Sequence, residues 1–154
     1  MTEITAEPGT HELRYARIFD APRELVFRAH TEPELLARWW GERGDETIVD
    51  RLEPRPGGGW RILSRTADGE DGFHGYFHEV TPERIVQTFE YEGAPGHVQL
   101  ETLLLEDLGG GKTRLTGSTV FQSVADRDAM AAGGGMETGW SQSMDRLAEL
   151  LGTL

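Results

Sequence analysis

The sequence predicts an α+β domain: a curved antiparallel sheet of about seven strands wrapped around a long C-terminal helix, with two short helices after the first strand. Three observations predict it. Apolar residues alternate with period two through six segments in the middle of the chain, separated by short turn signals. A helix-spaced stripe of Met136, Trp140, Met144, Leu147 and Leu151 closes the chain. Two compact helical patterns lie between a lone N-terminal strand and the six segments.

Residues 1–10 contain Pro8, Gly9 and little apolar content, and read as a flexible tail. Residues 11–154 then form one domain. Residues 13–19 alternate as a strand, ended by Asp20-Ala21-Pro22. Asp20 suits the first free helical amides, and Pro22 suits a first helical turn. The helix that follows runs to about Ala29, with Leu25, Val26 and Ala29 on one side. Thr31 and Glu34 have the spacing of a capping box for a second helix. Leu35 and Trp39, and Leu36 and Trp40, give it a broad buried face, and Gly41 is its stop.

Strands are expected near 45–53, 59–66, 72–80, 84–92, 97–106 and 113–121. Their short connections imply antiparallel hairpins. The last helix, about sixteen residues and roughly 24 Å long, is enough to cross a sheet. A twisted sheet with one apolar face must cover that face, and this helix is the only large cover predicted. A curved sheet gripping one helix leaves room for a cavity, closed at one end by the small helices.

Composition narrows the function classes. A chain of 154 residues is one domain long. The absence of cysteine excludes disulfides, thiolate metal sites and cysteine nucleophiles, and fits a reducing cytoplasm. A net charge of −12 disfavours nucleic acid and anionic membrane surfaces. No apolar run reaches the length of a membrane span. The start, MTEITAEPGTHE, lacks the basic and apolar regions of a secretory signal, so a cytoplasmic location is expected. Of the 15 basic residues all but Lys112 are arginine, a hint of a GC-rich bacterial genome.

Several segments carry a resemblance that spans almost the whole chain after residue 12. They are FDAPRELVF at 19–27, TEPELLARWWG at 31–41, RPGGGW at 55–60, GYFHEV at 75–80, PERIVQTF at 82–89, GGKTRL at 110–115 and GWSQSMDRLAELL at 139–151. Together they resemble the SRPBCC (START-like, Bet v 1-like) superfamily, and within it the bacterial family related to the activator of Hsp90 ATPase. The resemblance implies a helix-grip fold with a hydrophobic cavity. Relatives bind lipids, hormones or polyketides, some catalyse cyclisation, and the eukaryotic namesake stimulates the chaperone Hsp90. That namesake carries a separate N-terminal domain for which this chain has no room.

The candidate ligand-binding residues are Trp39, Trp40, Trp60, Phe73, Phe77, Phe89, Met136, Trp140 and Met144. Tryptophan offers large area and one indole donor, which suits a pocket wall, and methionine adapts to irregular partners. Strand 72–80 has two faces, and the one carrying Phe73, Gly75, Phe77 and Glu79 is expected to point inward. His74 and His78 share the other face about 13 Å apart, too far to ligate one ion. No metal and no cofactor are implied. Gly109-Gly110-Gly111-Lys112-Thr113 is read as a hairpin turn, since Glu106 stands where a Walker loop needs glycine. No serine sits in a nucleophile-elbow motif, and no catalytic residue is assigned. Gly133-Gly134-Gly135 is expected to form part of the pocket mouth.

Three functions are compatible with this reading. The first is binding of a small apolar or amphipathic molecule between sheet and helix, with no chemistry. The second is a cyclase or isomerase using a pocket acid or base drawn from Glu79, Glu101, His74 and Tyr76. The third is an interaction module that modulates an Hsp90-type ATPase. A homodimer is compatible with each.

Overall fold

The computed structural model describes residues 2–132 and 135–154, with the side chains of 132 and 135–138 outside that description. In chain order the elements are β1 (Glu3–Thr5), β2 (Glu12–Phe19), α1 (Arg23–Thr31), α2 (Pro33–Trp39), β3 (Glu46–Leu52), β4 (Gly59–Thr66), β5 (Gly69–Val80), β6 (Arg84–Tyr91), β7 (Val98–Gly109), β8 (Lys112–Val120), α3 (Val124–Ala132) and α4 (Gly135–Leu151). The strands form one antiparallel sheet in the order β1-β2-β8-β7-β6-β5-β4-β3. β3 to β8 are a continuous meander, and β2 returns to pair with β8 at the far side. α1 and α2 therefore carry the chain from one side of the sheet to the other. No helix among the described residues is long and apolar enough to cross a membrane.

The sheet has one strand more than expected. β1 lies in the segment read as a tail and pairs with β2 through Glu3↔Ala16 and Thr5↔Arg14. It covers an edge that would otherwise present unpaired amides and carbonyls, and Ile4 packs against the core. α3 is also additional. The Ser123 hydroxyl accepts the Asp126 amide at 3.0 Å, a helix N-cap ahead of an alanine-rich stretch.

The two caps expected from sequence are absent. The residue capping α1 is Pro22, with no side-chain cap, so Asp20 does not serve. Thr31 ends α1, and its hydroxyl donates back to the Phe27 carbonyl at 2.9 Å. α2 starts instead from Glu32 with Pro33 in its first turn. Proline suits a first helical position, because its missing N–H would be unpaired there anyway and its fixed φ is already helical.

Alternation sets the inner face of the sheet. Leu13, Tyr15 and Phe19 of β2, Trp60 and Ile62 of β4, Ile85 of β6, Leu103 and Leu105 of β7 and Leu115 of β8 are all buried. On β5, Phe73 and Phe77 face inward, while Tyr76 is 55% exposed. Glu79, expected on the inner face, points outward. A bulge between Phe77 and Glu79 inserts a residue, so Val80 takes the inward position opposite Ile85. Glu79 pairs instead with Arg84 at the surface. The hairpin joining β7 to β8 closes at Gly109↔Lys112, with Gly110 and Gly111 at φ +63° and +76°. Two successive positive φ angles are the geometry of a tight hairpin turn.

α4 buries Met144, Leu147, Leu150 and Leu151 in the same core as the sheet residues. Its nearest backbone neighbours are α1, α2 and α3 rather than strands. Polar side chains tie it to the chain just after α2. Arg146 donates to the carbonyls of Arg38, Trp40, Gly41 and Glu42, at 3.0 to 3.3 Å. Ser143 accepts from the Gly41 amide and donates to the Gly41 carbonyl, and Gln142 accepts from the Arg43 amide. A cation at the C-terminal carbonyls of α2 satisfies acceptors that the helix leaves free. Arg146→Met keeps much of the apolar stem and removes those bonds. It is expected to lower stability by roughly 2 kcal/mol in urea denaturation, as for other hydrogen bonds from a charged donor.

Candidate ligand cavity

A cavity of about 540 Å³ lies between the inner face of the sheet, α2 and α4. That is within the size range of small-molecule sites. Its walls are aromatic. Trp40 meets Phe73 at 5.1 Å between ring centroids, Phe73 meets Phe89 at 5.6 Å, and Phe89 meets Trp60 at 5.7 Å. Across from this belt, Tyr15 of β2 packs against Trp140 of α4 at 4.2 Å. Trp39 seals the helical end, its indole donating to the Ala29 carbonyl at 2.8 Å.

Two glycines make this geometry feasible. At Gly75 a side chain would collide with the Thr88 carbonyl and the Trp60 indole, so Trp60 can cross β5 and donate to that carbonyl at 3.1 Å. The β5–β6 register has no Cα partners at Gly75 and Tyr76, and the Thr88 hydroxyl accepts the Tyr76 amide there. At Gly117 a side chain would overlap the Tyr15 ring, which lies flat over β8.

Of the residues expected to bind ligand, Trp39, Trp40, Trp60, Phe73, Phe77, Phe89, Trp140 and Met144 all line the cavity. The side chain of Met136 lies outside the described residues, as do Gly133 and Gly134 of the expected mouth. The exposed lining residues Glu42 and Thr66 and the half-buried Asp45 and Asp71 put an opening between the α2–β3 connection and the β4–β5 hairpin.

The polar lining is sparse. Glu101 of β7 is 5% exposed and accepts a hydrogen bond from Gln87 of β6 at 2.9 Å. Burial pushes its carboxyl up to about 7. Such a group can hold or release a proton near neutral pH. Burial also raises the Tyr15 hydroxyl well above its ordinary range, with a further contribution from the charge of Glu101. His30 of α1 donates from Nδ1 to the Val26 carbonyl at 2.8 Å and packs on Trp39. Burial lowers its pKa, so it is neutral around pH 7.

The matching family model is the Activator of Hsp90 ATPase homolog 1-like protein, over residues 20–152. The chain belongs to this family. Solved structures agree on the fold. A Rhodobacter sphaeroides protein is 27% identical over 100% of both chains, with a TM-score of 0.89. A Chromobacterium violaceum protein is 28% identical over 92% of this chain and 96% of its own, with a TM-score of 0.81. An Arthrobacter aurescens protein at 23% identity, covering 99% and 92%, has a TM-score of 0.88 and shares the fold. Among curated proteins none matches the sequence.

Of the four groups considered for acid–base chemistry in this family member, only Glu101 lines the cavity. His74 faces outward, where its Nδ1 and the Arg61 guanidinium both contact Glu92 at 2.9 Å. Those partners hold the Glu92 carboxyl down at about 2. Tyr76 and Glu79 are on the outer surface, as described above. Sequence reading missed Tyr15, His30 and Gln87. The alternation of 13, 15 and 19 would have found Tyr15. Gln87 becomes visible only through its register with Glu101.

Glu101 makes stability depend on pH. Its folded-state value of about 7 lies above the ordinary 4.5. Folding therefore favours the neutral acid, and this contribution is complete below pH 4.5 and lost as pH rises through 7. The gap corresponds to about 3 kcal/mol. Glu101→Gln is expected to remove that loss, so that the variant gains roughly 2–3 kcal/mol over wild type between pH 5 and pH 8 in urea denaturation.

Proposed function

We propose that this protein binds a small apolar or amphipathic molecule in the cavity between its sheet and α4, without making or breaking bonds. The observation that carries this reading is the cavity itself: about 540 Å³ walled by aromatic rings from the sheet, α2 and α4. A core without a ligand function would collapse onto such a space, because interiors pack to the density of organic crystals. The binding surface on this reading comprises Trp39, Trp40, Trp60, Phe73, Phe77, Phe89, Met136, Trp140 and Met144. The protein acts in the cytoplasm, and no dimer is required to complete the site.

The alternatives are not favoured. Acid–base catalysis needs partnered groups on the substrate, and Glu101 alone of the expected set faces the cavity. Modulation of an Hsp90-type ATPase is suggested by the family description, with no feature of this cavity calling for it.

Native mass spectrometry of protein purified from its own host is expected to show a reproducible added mass that denaturation releases. In parallel, N-phenyl-1-naphthylamine, a neutral apolar probe, is expected to brighten on binding and to be displaced by the released compound. No added mass together with no probe binding would overturn the reading.

A further inference from the structure

The charge lining the cavity is one-sided. Glu42, Asp45, Asp71 and Glu101 contribute carboxyl groups, and the described lining contains no lysine or arginine. His30, the only other ionisable base there, uses its Nδ1 proton on a backbone carbonyl, so its second nitrogen can only accept while the ring is neutral. The donors at the wall are mostly used within the protein. Trp39, Trp60 and Ser143 donate to backbone carbonyls, and Tyr91 donates to Asp71.

Glu101 is the deepest of the carboxyl groups. One of its oxygens accepts from Gln87, and the other has no protein partner among the described residues. No cation of the described protein pairs with it. A buried carboxyl without a counter-ion is costly, and a bound cation would relieve that cost. Aromatic rings share the cavity with it, among them the Tyr15–Trp140 pair, and such rings attract a cation through their π systems.

Resting on the ligand-cavity reading above, we propose that the ligand is a cationic amphiphile: an apolar body, preferably aromatic, carrying a protonated amine that pairs with Glu101. The acidic mouth at Glu42, Asp45 and Asp71 draws such a molecule in. The body packs against Trp40, Phe73 and Phe89, and the ammonium donates to the free Glu101 oxygen. A carboxylate ligand is rejected, because it would bring a second negative charge beside Glu101 with nothing to neutralise it.

The test uses three matched probes, 4-phenylbutylamine, 4-phenylbutan-1-ol and 4-phenylbutanoate, titrated into the full chain at pH 7.5 and 150 mM salt. The tryptophan indole signals in NMR report binding. The amine is expected to bind at least about fivefold tighter than the alcohol, and the acid at least about fivefold weaker than the alcohol, each step near 1 kcal/mol. In Glu101→Gln, with its fold checked by near-UV circular dichroism, the amine-to-alcohol ratio is expected to fall toward one. Persistence of that ratio in the variant would assign the preference to surface charge and overturn the pairing with Glu101. Alcohol or acid binding as well as the amine would overturn the cationic reading and leave the ligand cavity standing. No perturbation by any of the three at millimolar concentration would overturn both.

Discussion

The cavity depends on how α4 is held. Its C-terminal half is anchored by apolar burial of Met144, Leu147, Leu150 and Leu151. Most of its polar side chains that bond within the protein grip the chain at 38–43. Arg146 gathers the carbonyls that end α2, Ser143 brackets Gly41, and Arg43 reaches Glu149 at 2.9 Å. Asp145 adds one tie to the sheet through Arg17 of β2 at 2.5 Å. These bonds fix the height of the helix above the strands, since each has a narrow range of favourable length. A helix held this way does not settle onto the strands beneath it, and the space below Trp140 persists. The same clamp positions Trp39 and Trp40, because the carbonyls that Arg146 holds flank them.

Much of this was legible in the sequence, and the unread parts have identifiable causes. Strands show themselves by alternation and by turn residues, so β3 to β8 were expected within a few residues of where they lie. The stripe Trp140, Met144, Leu147 and Leu151 placed a helix because its spacing is incompatible with a strand. Glu79 failed for a different reason. Alternation carries no sign of the bulge that shifts β5 by one residue, and one residue reverses the face. The proposed capping box failed because Pro33 offers a competing start for α2 in the same few residues. β1 was unread because three residues are too few for a period to emerge, and the edge it covers exists only after β2 and β8 have paired.

The site was legible by residue type but not by arrangement. Aromatic and methionine residues could be assigned to the wall because they had to be buried somewhere near the last helix. Which polar groups join them is a matter of cross-strand register. Gln87 faces Glu101 because β6 pairs with β7 in one alignment, and Tyr15 lies over Gly117 because β2 pairs with β8 in another. Gly75 and Gly117 show the same dependence. Each looks like a weak point in a strand, since glycine lowers strand propensity. In the folded sheet each is the place where an aromatic ring from the neighbouring strand lies flat.

The inner face of the sheet places polar side chains among its aromatic ones where it borders the cavity, which argues that the cavity is a feature rather than a packing fault. Toward one end the facing positions are apolar: Ile85 opposes Leu103, and Leu105 opposes Leu115. This region is closed by α1 and the C-terminal half of α4. Two residues further along β6 and β7 from the Ile85–Leu103 pair, the partners become polar: Gln87 opposes Glu101, and Glu101 opposes Thr119. Ser64 opposes Asp71 separately, near the β4–β5 hairpin. Voids left by imperfect packing are lined by the same apolar residues as the core around them, and stay dry. Here Ser64, Gln87, Gln99 and Glu101 line the same space as the aromatic rings. These polar side chains cost apolar burial, which the proposed ligand would restore. Glu101 is the sharpest instance, since leucine, which occupies the next inward positions on β7, would satisfy the fold there at lower cost than a buried acid.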